Sequence, residues 1–361
     1  MVFGTLTTLD IHADNTQTVA TFGERALVDA VQQASNLYNQ AMQESVSDFA
    51  VITSVAQLPY GTGGAMKMQR LDQFGSPDTQ KMAAGGSLGL PLWLTGIAVQ
   101  WNRHYVLNSR VNELLAHLDS AANADKREVN VDFYRRLFTP TNTIAFYDSL
   151  QTKLTYNLQA LLNADGMAIP PGPTGATFNA ATHTHYLATA TLTAASLTAL
   201  IDTVVEHGVT GGMVVYINRA QEAAVRAMTG PGEFVAYVDS RINPAVTSTT
   251  ANGFLDVTNP TDRAIGIFAG AEVHVKPLIP ANYQLAFDRG AGSDKALAIR
   301  TRSGTLAGDP YQGGFGLFYE DDVHPLRARA LGREYGVGVN ARHKAAVAYS
   351  ASATYATPIF T

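Results

Sequence analysis

A polar, turn-rich segment at residues 70–81 lies between two stretches of apolar and β-compatible residues, 51–68 and 87–99, and it constrains the fold more than any other part of the chain. Its centre, Gly75-Ser76-Pro77-Asp78, is turn chemistry, so the whole reads as a long β-hairpin. The two arms carry too few bulky apolar groups to bury one another. Such a hairpin should project from the body, and a projecting two-stranded ribbon is marginal in water by itself. The sequence therefore predicts an outside holder, the simplest being a neighbouring copy of the same chain. Tip residues Arg70, Leu71, Asp72, Phe74, Pro77 and Lys81 are the expected contact points.

The segment before the hairpin points the same way. Residues 1–20 are polar and β-branched without a helical period, which predicts an extended arm. Leu27, Val31, Ala34, Leu37, Tyr38, Ala41 and Met42 then recur three or four apart and mark one face of an amphipathic helix. Thr21 and Glu24 supply a capping-box start. A single helix behind an arm has little of its own chain to pack on. Leu27, Val31, Leu37, Tyr38 and Met42 are thus expected to face a partner surface.

Beyond the hairpin the spacing predicts a long helix over 102–124 and a second helical piece over 131–138, ended by Thr139-Pro140. Residues 143–162 mix strand and helix signals. The run 166–175 is a loop by composition and the expected domain boundary. A helix over 196–207 should close at Gly208, followed by a buried strand at 213–217 and a helix at 219–228. Further strands are expected at 264–268, 272–277 and 315–319, with a closing segment over 332–348. Helices and antiparallel strands mix without βαβ alternation, so the fold class is α+β.

Composition agrees with a life in contact with other proteins. Charged residues make up 15% of the 361, well under the roughly 25% of an average soluble chain, and interface cores are depleted of them. A neutral, secreted-type surface is the plainer reading of the same number. The net charge of −5 gives no cationic footprint for nucleic acid. Cysteine is absent, which removes disulfide and thiol chemistry. No apolar run approaches the ~20 residues needed to span a bilayer, and the first residues lack the pattern of a signal peptide. The expectation is a soluble protein used inside a cell or carried in a particle, with no membrane partner.

Three sets of residues imitate chemistry. Gly85-Gly86-Ser87-Leu88-Gly89 matches a nucleophile elbow in letters, but that turn needs a buried strand before it and a helix after it, and here Leu90-Pro91 follows. Gly336-Val337-Gly338 imitates a dinucleotide fingerprint, yet no helix, second strand and acid can follow in the remaining tail. It reads as a strand whose glycines permit close packing. His183 and His185 would share a strand face and, with His207, could ligate a metal. No acid stands at a recognisable ligand spacing, and zinc wants a third and often a fourth group. The expected reading is a polar loop beside Tyr186, with no metal, no cofactor and no catalytic residue.

Taken in order, residues 70–81, Val99-Gln-Trp-Asn102, the helix through Leu118, Leu137-Phe138-Thr139, His183-Thr-His-Tyr-Leu187, Glu206-His-Gly208, Met213-Val-Val-Tyr-Ile-Asn218, Ile265-Gly-Ile-Phe-Ala-Gly270, Val273-His-Val-Lys-Pro277 and Glu334-Tyr-Gly-Val-Gly-Val-Asn-Ala-Arg342 resemble the major capsid proteins of tailed bacteriophages with the Hong Kong 97-type fold. The resemblance spans nearly the whole chain. It implies an N-terminal arm with its helix over 1–50, an extended β-hairpin loop over 51–99 and a peripheral domain with a long spine helix over 100–165. An axial domain would follow over 166–331, with a return to the peripheral domain over 332–361. It implies a structural, non-enzymatic function: pentamers and hexamers of an icosahedral virion shell around double-stranded DNA, assembled in the host bacterial cytoplasm. Scaffolding, portal and decoration proteins are the further partners it suggests. An encapsulin-type nanocompartment is the nearest alternative, and a Ser87 hydrolase the remote one.

Overall fold

The computed structural model describes residues 18–23, 33–40, 42, 50–61, 68–71, 73–79, 85–228, 234–237, 262–290, 293–302, 314–321 and 326–360. Its largest element is a helix of 28 residues, Val111–Phe138, about 42 Å long at 1.5 Å per residue. From residue 111 on, the two helical pieces expected here are therefore one, while Arg103–Asn108 form a separate short helix. Leu118, Ala121, Asp125, Val129 and Phe133 are all buried and fall three or four apart, so a single inward stripe runs through the supposed gap. The acid in that stripe is what interrupted the apolar period. Asp125 accepts a 2.7 Å hydrogen bond from the Tyr38 hydroxyl and pairs with Arg333 at 2.7 Å, which makes a carboxylate tolerable inside.

Two sheets pack with this helix. The first has five strands in the order β1 (Ala50–Thr53), β13 (Leu297–Thr301), β15 (Leu326–Val339) and β14 (Gly316–Asp321), with β4 (Trp93–Asn102) also paired to β15. The second has seven: β7 (Tyr186–Ala188), β16 (Ala345–Tyr349), β12 (Tyr283–Asp288), β8 (Met213–Ile217), β11 (Ala271–Val275), β10 (Arg263–Phe268) and β9 (Val235–Ala236). β8 and β12 are buried at every position, as their central places require, and β8 is the strand expected at 213–217. Helix Ala194–Val205 lays Leu197, Leu200, Ile201 and Val204 on this sheet, against Val215, Ile217 and Ala286 among others. It ends as expected: Gly208 has φ +89° and its N–H reaches Val205 O at 2.9 Å. The mixed helix-and-sheet class is thus as the sequence predicts. Among the described residues no helix is long and apolar enough to cross a membrane.

Two expectations about packing change. Among the described residues the hairpin arms pair with each other only between β2 (Gln57–Tyr60) and β3 (Gly86–Gly89). Outside that short ladder β1 joins β13 in parallel, and β4 takes all its partners from β15, from Trp93↔Tyr335 to Asn102↔Leu326. Fourteen residues of β15 offer a longer ladder than the opposite arm could, so the arms are rooted in the body. The second change concerns the N-terminal helix: Thr21, expected to cap it, lies inside a separate short helix, Val19–Phe22, that ends at Gly23, and the described part beyond is residues 33–40 and 42. Tyr38 and Met42 are buried in the chain's own main core, with Leu118, Phe133 and Leu297 in the same cluster. Long-range packing supplies the surface that the sequence alone placed on a neighbour. Leu37 remains half exposed, at 47%.

Buried ions pin the elements together. Arg300 and Asp148 are both fully enclosed and pair at 2.6 Å, while a second Arg300 nitrogen donates to Leu90 O at 2.8 Å. Arg342 donates to the carbonyls of Ala160 and Leu161 and to Asp165. Lys344 donates to Asp288, whose oxygens also accept the N–H groups of Thr210 and Gly211.

Candidate functional site

Arg70, Leu71, Phe74 and Pro77 all lie on the exposed excursion between β2 and β3, with Phe74 80% and Leu71 51% accessible. Met68 beside them is fully open to solvent. Asp72 and Lys81 lie outside the described residues, as do Leu27 and Val31 of the helix face. Glycine sets the turn: Gly75 has φ +68°, and the N–H of Asp78 donates to Gln69 Oε1 at 2.8 Å across it. Phe74 presents most of its ring to solvent in the single chain, and exposed apolar groups of this size mark contact surfaces.

The root of the excursion is fixed as firmly as its tip is open. Leu90 and Leu92 are fully buried, and the chain crosses the sheet between them at close quarters. A Cβ at Gly336 would stand 1.9 Å from Pro91 O, and one at Gly338 2.3 Å from Leu90 Cδ2. The glycine pair that imitates a dinucleotide motif is thus a strand relieved of side chains where another backbone passes. At the other root Tyr60 is buried, with its hydroxyl 3.2 Å from His343 Nδ1. Ser87 sits within β3 and its Oγ accepts from Gln57 Nε2 at 2.6 Å. Ser87 therefore stands in a strand and not on the strand–turn–helix of a nucleophile elbow.

A second group of exposed apolar residues lies by the root of the excursion. Ile144, Tyr147 and Leu154 are exposed on and beside the hairpin of β5 (Thr143–Tyr147) and β6 (Thr155–Leu158). Trp93, itself half exposed, meets Phe146 of that hairpin edge-on with ring centroids 4.7 Å apart. Exposed aromatic and aliphatic groups therefore adjoin the first residue of β4.

The histidines are arranged otherwise than expected. His183 and His185 do share a face, and the turn after helix Ala194–Val205 brings His207 onto it. The three Nε2 atoms form a triangle with sides of 3.0, 3.1 and 3.2 Å. The acid that no sequence spacing revealed is Glu206, whose Oε1 lies 3.5 Å from His183 Nε2 and 4.0 Å from His207 Nε2. His185 is fully enclosed and His207 nearly so, with the Phe178 ring 4.1 Å from that of His207. Burial pushes all three imidazoles down in pKa, His207 to about 3, helped there by the nearby His343. They are neutral at ordinary pH. The clue in the sequence was Glu206-His207, adjacent residues that read there only as the end of a helix.

No known family model matches this sequence, and no curated protein does. Among solved structures, a chain from Mycobacterium phage Patience shares the fold with a TM-score of 0.64 at 20% identity, over 92% of this chain and 90% of that one. The capsid of a native GTA particle aligns at a TM-score of 0.45 and 13% identity, over 85% of this chain and 90% of that one. An encapsulin complex from Synechococcus elongatus aligns at 0.42 and 11%, over 88% and 91%. At the level of the fold, the likeness to a phage protein read in the sequence is borne out.

Proposed function

We propose that this chain is the major capsid protein of a tailed phage, a structural subunit that tiles a closed icosahedral shell as pentamers and hexamers around double-stranded DNA. One observation carries the reading. The excursion between β2 and β3 holds Met68, Leu71 and Phe74 in water on a ladder of four residue pairs, while its roots are locked into the body. A subunit built that way is completed by something that covers the tip, and a phage protein of the same fold makes an identical copy the natural cover. Helix Val111–Phe138 then acts as the spine of a peripheral domain over 100–165, and residues 166–331 form most of the axial domain. The localisation that follows is the virion, after assembly in the host cytoplasm, with scaffolding, portal and decoration proteins as further partners. The excess of acid over base suits a container that does not adhere to its cargo.

Deleting residues 71–80 tests this. The expected product is a soluble, folded subunit that builds no closed shell in negative-stain images, whereas the unaltered chain does. Normal particles from the deletion would refute the role given to the tip. Nuclease-treated particles that hold protein but no DNA would point instead to a nanocompartment.

A further inference from the structure

We propose that His183, His185, His207 and Glu206 bind a first-row transition-metal ion, zinc foremost, which fastens the end of helix Ala194–Val205 to the segment entering β7. The inference concerns one subunit and stands whether or not the chain builds shells. A tetrahedral zinc bound to imidazole at ~2.0–2.1 Å sets its nitrogens about 3.3 Å apart. The observed separations of 3.0, 3.1 and 3.2 Å are close to that. For a triangle of this size the centre lies about 1.8 Å from each corner, so an ion at bonding distance sits roughly 1 Å above the plane. Glu206 stands within reach of the fourth position, since one ligand atom from each of the four residues lies within 4.8 Å of the others.

Hydrogen bonding alone gives no satisfactory account of the triangle. His185 Nδ1 faces the carbonyl of Ala345 at 2.7 Å, and a carbonyl only accepts, so Nδ1 carries the proton and the Nε2 lone pair points into the cluster. If His183 and His207 both donated to it, their own Nε2 protons would confront each other across 3.0 Å. One of the three contacts must therefore be lone pair against lone pair or proton against proton. A cation at the centre turns all three lone pairs to use. The Ala345 carbonyl then plays the usual supporting part, holding the ring of a metal-bound histidine through its other nitrogen.

Ligand type selects the ion. Three imidazoles and one carboxylate suit zinc and its neighbours, whereas calcium and magnesium prefer all-oxygen shells. His185 and His207 are enclosed, His183 is partly so and Glu206 is exposed, and a donor for every tetrahedral position describes a closed, structural site. The ion joins residues 183 and 185 to residues 206 and 207, two segments otherwise linked through the whole of the intervening helix.

The test uses the full chain without a histidine tag, purified without chelator. Elemental analysis should find about one zinc per chain, matching a single four-ligand structural site. Co2+ added to the apo-protein should give the intense visible bands of tetrahedral cobalt, bleached by added Zn2+. His183→Ala and His207→Ala should each weaken Zn2+ binding by at least ~100-fold, and Glu206→Gln by ~10–100-fold, the loss seen even for supporting partners. An octahedral cobalt spectrum in the unsubstituted protein, or zinc retained equally by the double variant His183→Ala/His207→Ala, would overturn the assignment. The cobalt spectrum needs no variant, so it decides the matter even where a substitution fails to fold.

Discussion

Replacing Phe74 by Asp should raise the concentration at which the protein assembles without changing the stability of the subunit. The ring is 80% accessible in the single chain. Full burial of a Phe side chain yields about 1.5–3 kcal/mol, so covering that fraction under a neighbour yields about 1.2–2.4 kcal/mol. In a ring of like subunits each chain offers one tip and receives one, so the contribution enters once per subunit. Since about 1.4 kcal/mol is tenfold in an equilibrium constant, the assembly threshold should rise about 7- to 50-fold. Asp adds a desolvation penalty, which makes this a lower bound. Light scattering against protein concentration measures the threshold, with negative-stain images to confirm closed particles. The melting temperature of unassembled protein should hardly move, because an exposed substitution is worth within about 0.5 kcal/mol of nothing. An unchanged threshold for Phe74→Asp would refute the claim that the tip is covered in the assembly.

Two predictions concern the subunit alone. Asp148→Asn leaves the enclosed Arg300 without its counter-charge, and breaking a buried pair from one side costs about 3–5 kcal/mol; thermal unfolding of the assembly-deficient protein would register this as a large drop in melting temperature. Acid should destabilise the fold in a defined window. Burial alone would raise Asp148, but the N–H groups of Gln151 and Thr152, the Thr152 hydroxyl and Arg300 outweigh it and hold the carboxyl well below its usual range. The close contact with His274 Nε2, 3.1 Å away, leads in lowering Glu272 to about 2. Groups depressed on folding stabilise above their unfolded pKa of ~4 and lose that contribution as pH falls through the folded values. Stability followed by urea titration should therefore fall between about pH 4 and 2 through these carboxylates, beneath an earlier decline that begins as the buried histidines become charged in the unfolded chain. A profile without that fall would contradict the assignment.

What the sequence made legible was whatever is decided locally. Helix Ala194–Val205 with its Gly208 cap, the wholly buried strand Met213–Ile217 and the turn at Gly75 all announce themselves within a few residues. The continuity of Val111–Phe138 was hidden because Asp125 occupies an apolar position, made acceptable by Tyr38 and Arg333 from opposite ends of the chain. The strand partners of the hairpin arms lie more than two hundred residues away, so no local signal assigns β4 to β15. Tyr38 and Met42 were given to a neighbour for the same reason. The histidine group was half visible: the shared face of His183 and His185 follows from strand periodicity, but only the folded chain brings Glu206 and His207 to it.

The paired rooting of the excursion has a mechanical consequence. Thr53, the last residue of β1, is level with Arg300 and through it with Gly336, while Trp93, the first residue of β4, is level with Tyr335. Both roots therefore enter one sheet at nearly the same height. β1 occupies the levels from Gly336 to Val339 and β4 those from Tyr335 to Leu326, so a pull along the strands that shears one ladder draws the other root back over its own strand. In the proposed shell, a load on the tip would therefore be met by the ten-pair ladder of β4 in one direction and by the four-pair ladder of β1 in the other.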